Sequence, residues 1–258
     1  MFSMASSKLN LHRPSLTQIN MTKLKLSSEN CSDCPIRHRA VCSRCEGDEL
    51  LVLEKMKSYR TYAAGDVILW RGEPLDCVAS VVSGVASLSK TLEDGRTQMV
   101  GLLLPSDFIG RPGRTHVEFD VTATTDVTLC RFERLPFERM LVETPHLAQR
   151  LMVMALDELD AARDWMILLG RKTAREKIAT FLEMLARRQH PEDSFEPNNA
   201  LALPLTRSEI ADYLGLTLET VSRQLGAMKK EGILRFADRR RFEIIDLGAL
   251  HAASGDDA

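Results

Sequence analysis

The chain has 258 residues, of which 44% are hydrophobic and 27% charged, with a formal net charge of −2. Those are the proportions of an ordinary globular protein with one large domain or two smaller ones. No run approaches the ~18 consecutive apolar residues of a transmembrane helix, and residues 1–30 lack the apolar core of a secretory signal, so a cytoplasmic protein is expected. Without export, cysteines serve metal binding or redox sensing more often than disulfides.

Residues 1–24 read as a disordered tail, with Met21 as an alternative start. Residues 25–47 form a cysteine-rich arm. Four of the six cysteines, Cys31, Cys34, Cys42 and Cys45, fall in the pattern C-x2-C-x7-C-x2-C; Cys77 and Cys130 lie far downstream. Thiolates this close repel one another, so the run asks for a metal, a cluster or a disulfide. Cys77 sits in a strand-like run and reads as a buried structural thiol. His38 and His116 read as surface residues.

Residues 48–144 read as a β-rich domain. The runs 67–70, 78–82, 85–92, 97–104 and 127–132 are short and rich in Val and Leu, separated by turn residues. Asp94-Gly95 between two of them is a hairpin signal. Strands at this spacing, with no helix between, suggest a sandwich or jelly roll.

Residues 145–171 are expected to form one long helix. Met152, Leu156, Leu159, Arg163 and Met166 follow the 4-3-4-3 spacing of a coiled-coil seam. Such a seam is covered either by the chain's own sandwich or by a twin helix in a homodimer, and the dimer is favoured. The acidic run Asp157, Glu158, Asp160 lies beside it and reads as solvated. Residues 173–190 form a second amphipathic helix marked by Ile178, Phe181, Leu182 and Leu185, and 190–201 a polar loop.

Residues 172–258 read as a winged helix-turn-helix domain. Thr206 can cap a helix with Glu209 at the third position, Gly215 ends it, and Thr217 caps the next. Ile210, Ala211, Leu214, Val221, Leu225 and Met228 are the core positions. Gly232 closes the second helix before an extended run, as in a winged helix. Seven basic and three acidic side chains fall within residues 218–241, a locally positive face suited to phosphate. Glu219, Thr220, Ser222 and Arg223 stand at the start of the second helix, away from its core face. Arg223 can pair with guanine, Glu219 with cytosine, and Ser222 with a base or phosphate. Lys229 and Lys230, and Arg239, Arg240 and Arg241 in the wing, should meet phosphate. No G-x-G-x-x-G or Walker fingerprint appears and no partner for a catalytic thiol is evident, so no enzyme is expected.

With these features in place, the sequence resembles the CRP/FNR family of bacterial transcription regulators over residues ~25–250. Glu219-Thr220-Val221-Ser222-Arg223 matches the E-x-x-S-R pattern of the FNR branch. The helix exit Asp164–Lys172 is similar to that branch too, as is the C-x2-C-x7-C spacing of some of its members. The resemblance implies an α+β fold: an N-terminal jelly-roll sensor, a long dimerisation helix and a C-terminal winged helix-turn-helix. It implies a homodimer on a palindrome of double-stranded DNA like TTGAT-N4-ATCAA, contact with RNA polymerase through loops such as 93–98, and an oxygen-labile [4Fe–4S] cluster. Matched residue by residue, the cluster ligands are Cys31, Cys34, Cys42 and Cys130, with Cys45 a spare. A rival set, Cys31, Cys34, Cys42 and Cys45, would suit a closed zinc site. Where cyclic AMP-binding members carry an Arg-Ser pair, this chain has Val117-Glu118-Phe119-Asp120. A carboxylate there repels phosphate, so no cyclic nucleotide is expected.

Overall fold

The computed structural model describes residues 30–189 and 200–255. The expected tail, residues 1–24, and most of the expected loop, residues 190–199, lie outside them.

The cysteine arm opens with two short 3-10 turns, Cys31–Asp33 and Val41–Arg44, followed by helix α1 (Gly47–Met56). The sequence reading has no helix here. Its signal is local: the Glu46 side chain accepts from the third backbone N–H of the helix while Glu49 reaches back, a carboxylate version of the capping box. The arm is therefore a longer unit than residues 25–47, since α1 packs on the first turn and Glu54 accepts from the Cys31 backbone N–H at 2.7 Å.

The sandwich holds β1 (Ser58–Tyr62), β2 (Val67–Leu69), β3 (Cys77–Ser83), β4 (Ala86–Thr91), β5 (Thr97–Leu103), β6 (Phe108–Ile109), β7 (Asp120–Ala123) and β8 (Val127–Glu133). They form two four-stranded sheets, ordered β1-β8-β3-β6 and β2-β7-β4-β5. The five strands expected from the sequence are all present. Strand β6 has only two residues, and the polar β1 and β7 lack the Val- and Leu-rich run that marks the other five. Gly84 stands at the β3–β4 turn with φ +81°, where an added Cβ would meet the Asp126 carbonyl oxygen at 2.0 Å.

Helix α2 (Arg134–Glu143) leads through Thr144 into α3 (Pro145–Arg171). Proline at the first helical position of α3 costs no hydrogen bond, because that N–H has no intrahelical partner. Then come α4 (Ala174–Gln189), β9 (Ala200–Ala202), α5 (Arg207–Leu214), α6 (Leu218–Lys230), β10 (Leu234–Phe236), β11 (Arg241–Ile244) and α7 (Leu247–Ser254). Strand β9, in a stretch that reads as loop, pairs with β11 and completes a three-stranded wing sheet.

Three apolar clusters hold the molecule together. One fills the sandwich around Val81, Val121 and Leu129. A second joins the cysteine arm to the sandwich and to α2 and α3, with Leu53, Phe132, Phe137 and Leu147 at its centre. The third is the core of the C-terminal domain, and it includes Met99 and Leu104 of the sandwich. The Asp107–Arg188 ion pair and a 3.1 Å bond from Gln98 Nε2 to the Asp212 carbonyl oxygen reinforce that junction. No helix among the described residues is long and apolar enough to cross a membrane.

Candidate metal centre and DNA interface

The front cysteines part company in three dimensions. Cys31, Cys34 and Cys42 line one small pocket together with Cys130, which arrives on β8. Cys45 does not line it: its side chain is fully buried beside the pocket's apolar wall, and Arg37 bonds to its carbonyl oxygen. Cys77 lies elsewhere on β3, half-buried rather than buried, with Arg131 Nη2 donating to its sulfur at 3.1 Å. His38 and His116 are exposed, as expected. Among the described residues no three Cys, His, Asp or Glu side chains converge closely enough to hold a single metal ion.

Burial dominates the chemistry of these thiols. It pushes the Cys42 thiol up to about 11, against the opposing pull of Arg37, with Cys34 and Cys31 adding to the rise. Cys130 rises further, first through burial and then through the charges of Cys31, Cys34 and Cys42. Burial also raises Cys31, opposed by Lys57, whose Nζ donates to its sulfur at 3.5 Å. Cys45 is pushed up to about 12 by burial, with Glu49 and Cys42 adding to it. The thiolates of Cys31, Cys42 and Cys130 therefore need a positive partner to stay deprotonated. Two residues that carry hydroxyls, Tyr59 and Ser80, also line this pocket. The hydroxyls of Tyr59 and Ser80 are buried and have no hydrogen-bond partner among the described residues.

The arm does more than reach Cys130. Its second 3-10 turn packs directly on α3, and Arg150 Nη2 of α3 donates to the Arg39 carbonyl oxygen at 2.5 Å. Leu147, Leu151 and Met154 of α3 belong to the arm's apolar cluster. Another face of the helix is bare in the single chain: Met152 is 64% exposed and Met166 66%, with Leu156, Leu159 and Ile167 also open. The seam is thus not covered by its own sandwich. Arg163, within it, is exposed and paired with Asp160. Asp157, Glu158 and Asp160 are exposed, as expected; the Glu158 carboxyl is still raised, first by partial loss of solvent where it stands near the sandwich and then by Asp107.

The helix-turn-helix follows its sequence signals closely. Thr206 and Glu209 complete a capping box, Gly215 sits at φ +62°, and the Thr217 side chain accepts from the Thr220 N–H. Val221, Leu225 and Met228 are buried, which turns Glu219 and Arg223 outward. Ser222 and Thr220 are half-buried, and the Thr220 hydroxyl bonds that of Thr217 at 3.0 Å, so it serves the cap first. Lys229 and Lys230 are exposed. The wing arginines divide. Arg241 opens β11 and pairs with Asp238, and Arg240 donates to the Pro204 carbonyl oxygen at 2.9 Å. Arg239 makes no such bond among the described residues.

Residues 59–144 match the model of the cyclic nucleotide-binding domain, and residues 176–253 that of the Crp-like helix-turn-helix domain. The transcriptional activator protein FnrL of Cereibacter sphaeroides is 58% identical over 230 residues, covering 88% of this chain and 93% of that protein. This chain belongs to the CRP/FNR family, in its FNR branch. The nitrogen fixation regulation protein FixK of Bradyrhizobium diazoefficiens is 39% identical over 79% of this chain and 85% of its own length. Among solved structures, FixK2 from Bradyrhizobium japonicum superposes with a TM-score of 0.71 at 35% identity, covering 78% of this chain and 99% of that one. Like other CRP/FNR proteins, the chain carries a helix-turn-helix that indicates DNA binding. In this CRP/FNR chain the segment 117–120 presents carboxylates. Asp120 Oδ1 accepts from the Arg71 backbone N–H at 2.8 Å, and Glu118 is exposed.

Proposed function

We propose that this protein is an oxygen-responsive transcription regulator, active as a homodimer on a palindrome like TTGAT-N4-ATCAA. The observation that carries the reading is the shared pocket of Cys31, Cys34, Cys42 and Cys130, built mostly from an arm that packs on α3 and closed by the sandwich. The donor set fits a [4Fe–4S] cluster: four thiols, three close together in the arm and one from β8, in an apolar pocket that Tyr59 and Ser80 also line. A zinc site would draw four sulfurs to within ~2.3 Å of one ion, and Cys45, which the zinc set requires, does not line the pocket.

Held by these thiolates, the cluster supplies an oxygen-labile link between arm and sandwich. The protein's own residues do the rest. Arg150, Leu147 and Leu151 couple the anchored arm to one face of α3, and the exposed stripe from Met152 to Met166 pairs with a twin. Pairing sets two α6 helices about one DNA turn, ~34 Å, apart. A released arm no longer supports α3, and a single half-site binds weakly. Coupling of ~1–3 kcal/mol suffices when dimerisation lies near balance. Glu118 and Asp120 argue against a cyclic nucleotide as the signal.

Anaerobic isolation with iron, sulfide and zinc analysis, followed by gel shift before and after air, tests the reading. Stoichiometric iron and sulfide with air-sensitive binding supports it; zinc with air-stable binding replaces it with a constitutive regulator of the same fold. Cys130→Ala should lose the cluster and oxygen-responsive dimerisation together, whereas Cys45→Ala should keep both.

A further inference from the structure

Cys130 stands in the middle of a row of three side chains. Strand β8 lies between β1 and β3, and the antiparallel registers set Tyr59 directly opposite Cys130 on one side and Ser80 directly opposite it on the other. Directly opposed residues share a face of the sheet, with Cβ atoms ~4.5–5.5 Å apart. All three side chains line the cysteine pocket. Ser80 is 2% exposed, and neither its hydroxyl nor that of Tyr59 has a hydrogen-bond partner among the described residues. A buried hydroxyl without a partner is costly, and Phe and Ala would fill these two positions without that cost. Both residues line the place where anionic sulfur would collect. Lys57 Nζ lies 5.3 Å from the Tyr59 ring centroid.

We propose that the Tyr59 and Ser80 hydroxyls each donate a hydrogen bond to the anionic sulfur of the group held in this pocket, and so set how firmly that group is retained. Both act as positioning residues. The inference rests on the iron–sulfur reading above. It adds a sheet-borne pair of donors on either side of the ligand that the sandwich supplies, residues that cysteine spacing cannot reveal. Neutral thiols are weak acceptors, whereas charged sulfur makes a strong one. The pair therefore favours the loaded protein over the empty one.

The test compares the full chain with Tyr59→Phe, Ser80→Ala and the double variant, each loaded anaerobically with ferrous iron and sulfide. Iron release to a chelator under nitrogen should be about tenfold faster in each single variant. The Fe–S stretching bands in resonance Raman spectra should shift in D2O for the parent, less in each variant and least in the double. Without metal, the variants should melt at or above the parent temperature, because each loses an unpaired buried hydroxyl. Parent and variants with equal iron release and equal D2O shifts would overturn the proposal. So would lower melting of both metal-free variants, which would mean that the hydroxyls bond within the protein itself. A parent that loads no iron and sulfide sinks the iron–sulfur reading and this inference with it; a loaded parent matched by its variants sinks this inference alone.

Discussion

Arg223 is the residue on which sequence reading depends most. Its side chain projects from α6 because Val221, Leu225 and Met228 are buried on the other side. Arg223→Ala should cost about 1–3 kcal/mol in binding to a specific site. It should leave iron content unchanged, and a gel shift on matched and mismatched half-sites measures both the loss and the relaxed specificity. Lys229, Lys230 and Arg239 are exposed and proposed to meet phosphate, so neutralising any one should lower the slope of log affinity against log salt by about one. Arg240 and Arg241 already have partners in the wing, and their removal should also loosen β10–β11. The thiols carry a pH signature. Burial holds Cys42 near 11 in the folded metal-free chain, above its ordinary value near 9. Folding therefore retains a proton that the unfolded chain gives up in that window, and stability should fall as pH rises from 9 towards 11. Urea titrations of the metal-free protein at pH 8 and 10 would show it as a lower midpoint at the higher pH.

Helix α3 has a division of labour that periodicity only half discloses. The 4-3-4-3 stripe is legible because heptad spacing is a local property, and the structure leaves Met152, Leu156, Leu159 and Met166 open. The opposite contacts of Leu147, Leu151 and Met154 with the arm are not legible, since nothing local says which turn of chain lies against them. Leu159→Glu should abolish dimerisation in sedimentation while leaving the circular dichroism of the monomer intact, because the side chain is already exposed. Arg150→Ala should permit full cluster loading but weaken anaerobic dimerisation several-fold, because the carbonyl oxygens of Arg39 and Ala40 lose their donor. The same contrast holds for short elements. Capping boxes marked α5 plainly, while α1 went unread because Glu at the cap is an unusual signal, and β9 went unread because three residues carry no period.

Across the whole molecule the sensor and DNA-binding units are packed, not merely tethered. Met99 and Leu104 of the sandwich enter the core of the C-terminal domain, and Gln98 bonds to the end of α5. The 93–98 hairpin therefore also touches the helix-turn-helix through Gln98. Loss of the Asp107–Arg188 pair through Arg188→Ala should change DNA affinity without touching loading, which fluorescence anisotropy on the palindrome would read. The sequence by itself determined the order of the units, the helix-turn-helix with its caps, and the heptad stripe. All of these rest on residues within a few turns of one another, where propensity and spacing act directly. The choice of Cys130 over Cys45 came from the family resemblance and not from any local pattern; the tertiary structure puts Cys130 in the pocket, and it alone shows Tyr59 and Ser80 beside it. It alone put the arm on α3. Those juxtapositions arise from sheet register and apolar packing between segments some fifty to a hundred residues apart, and no local pattern encodes which buried surfaces meet.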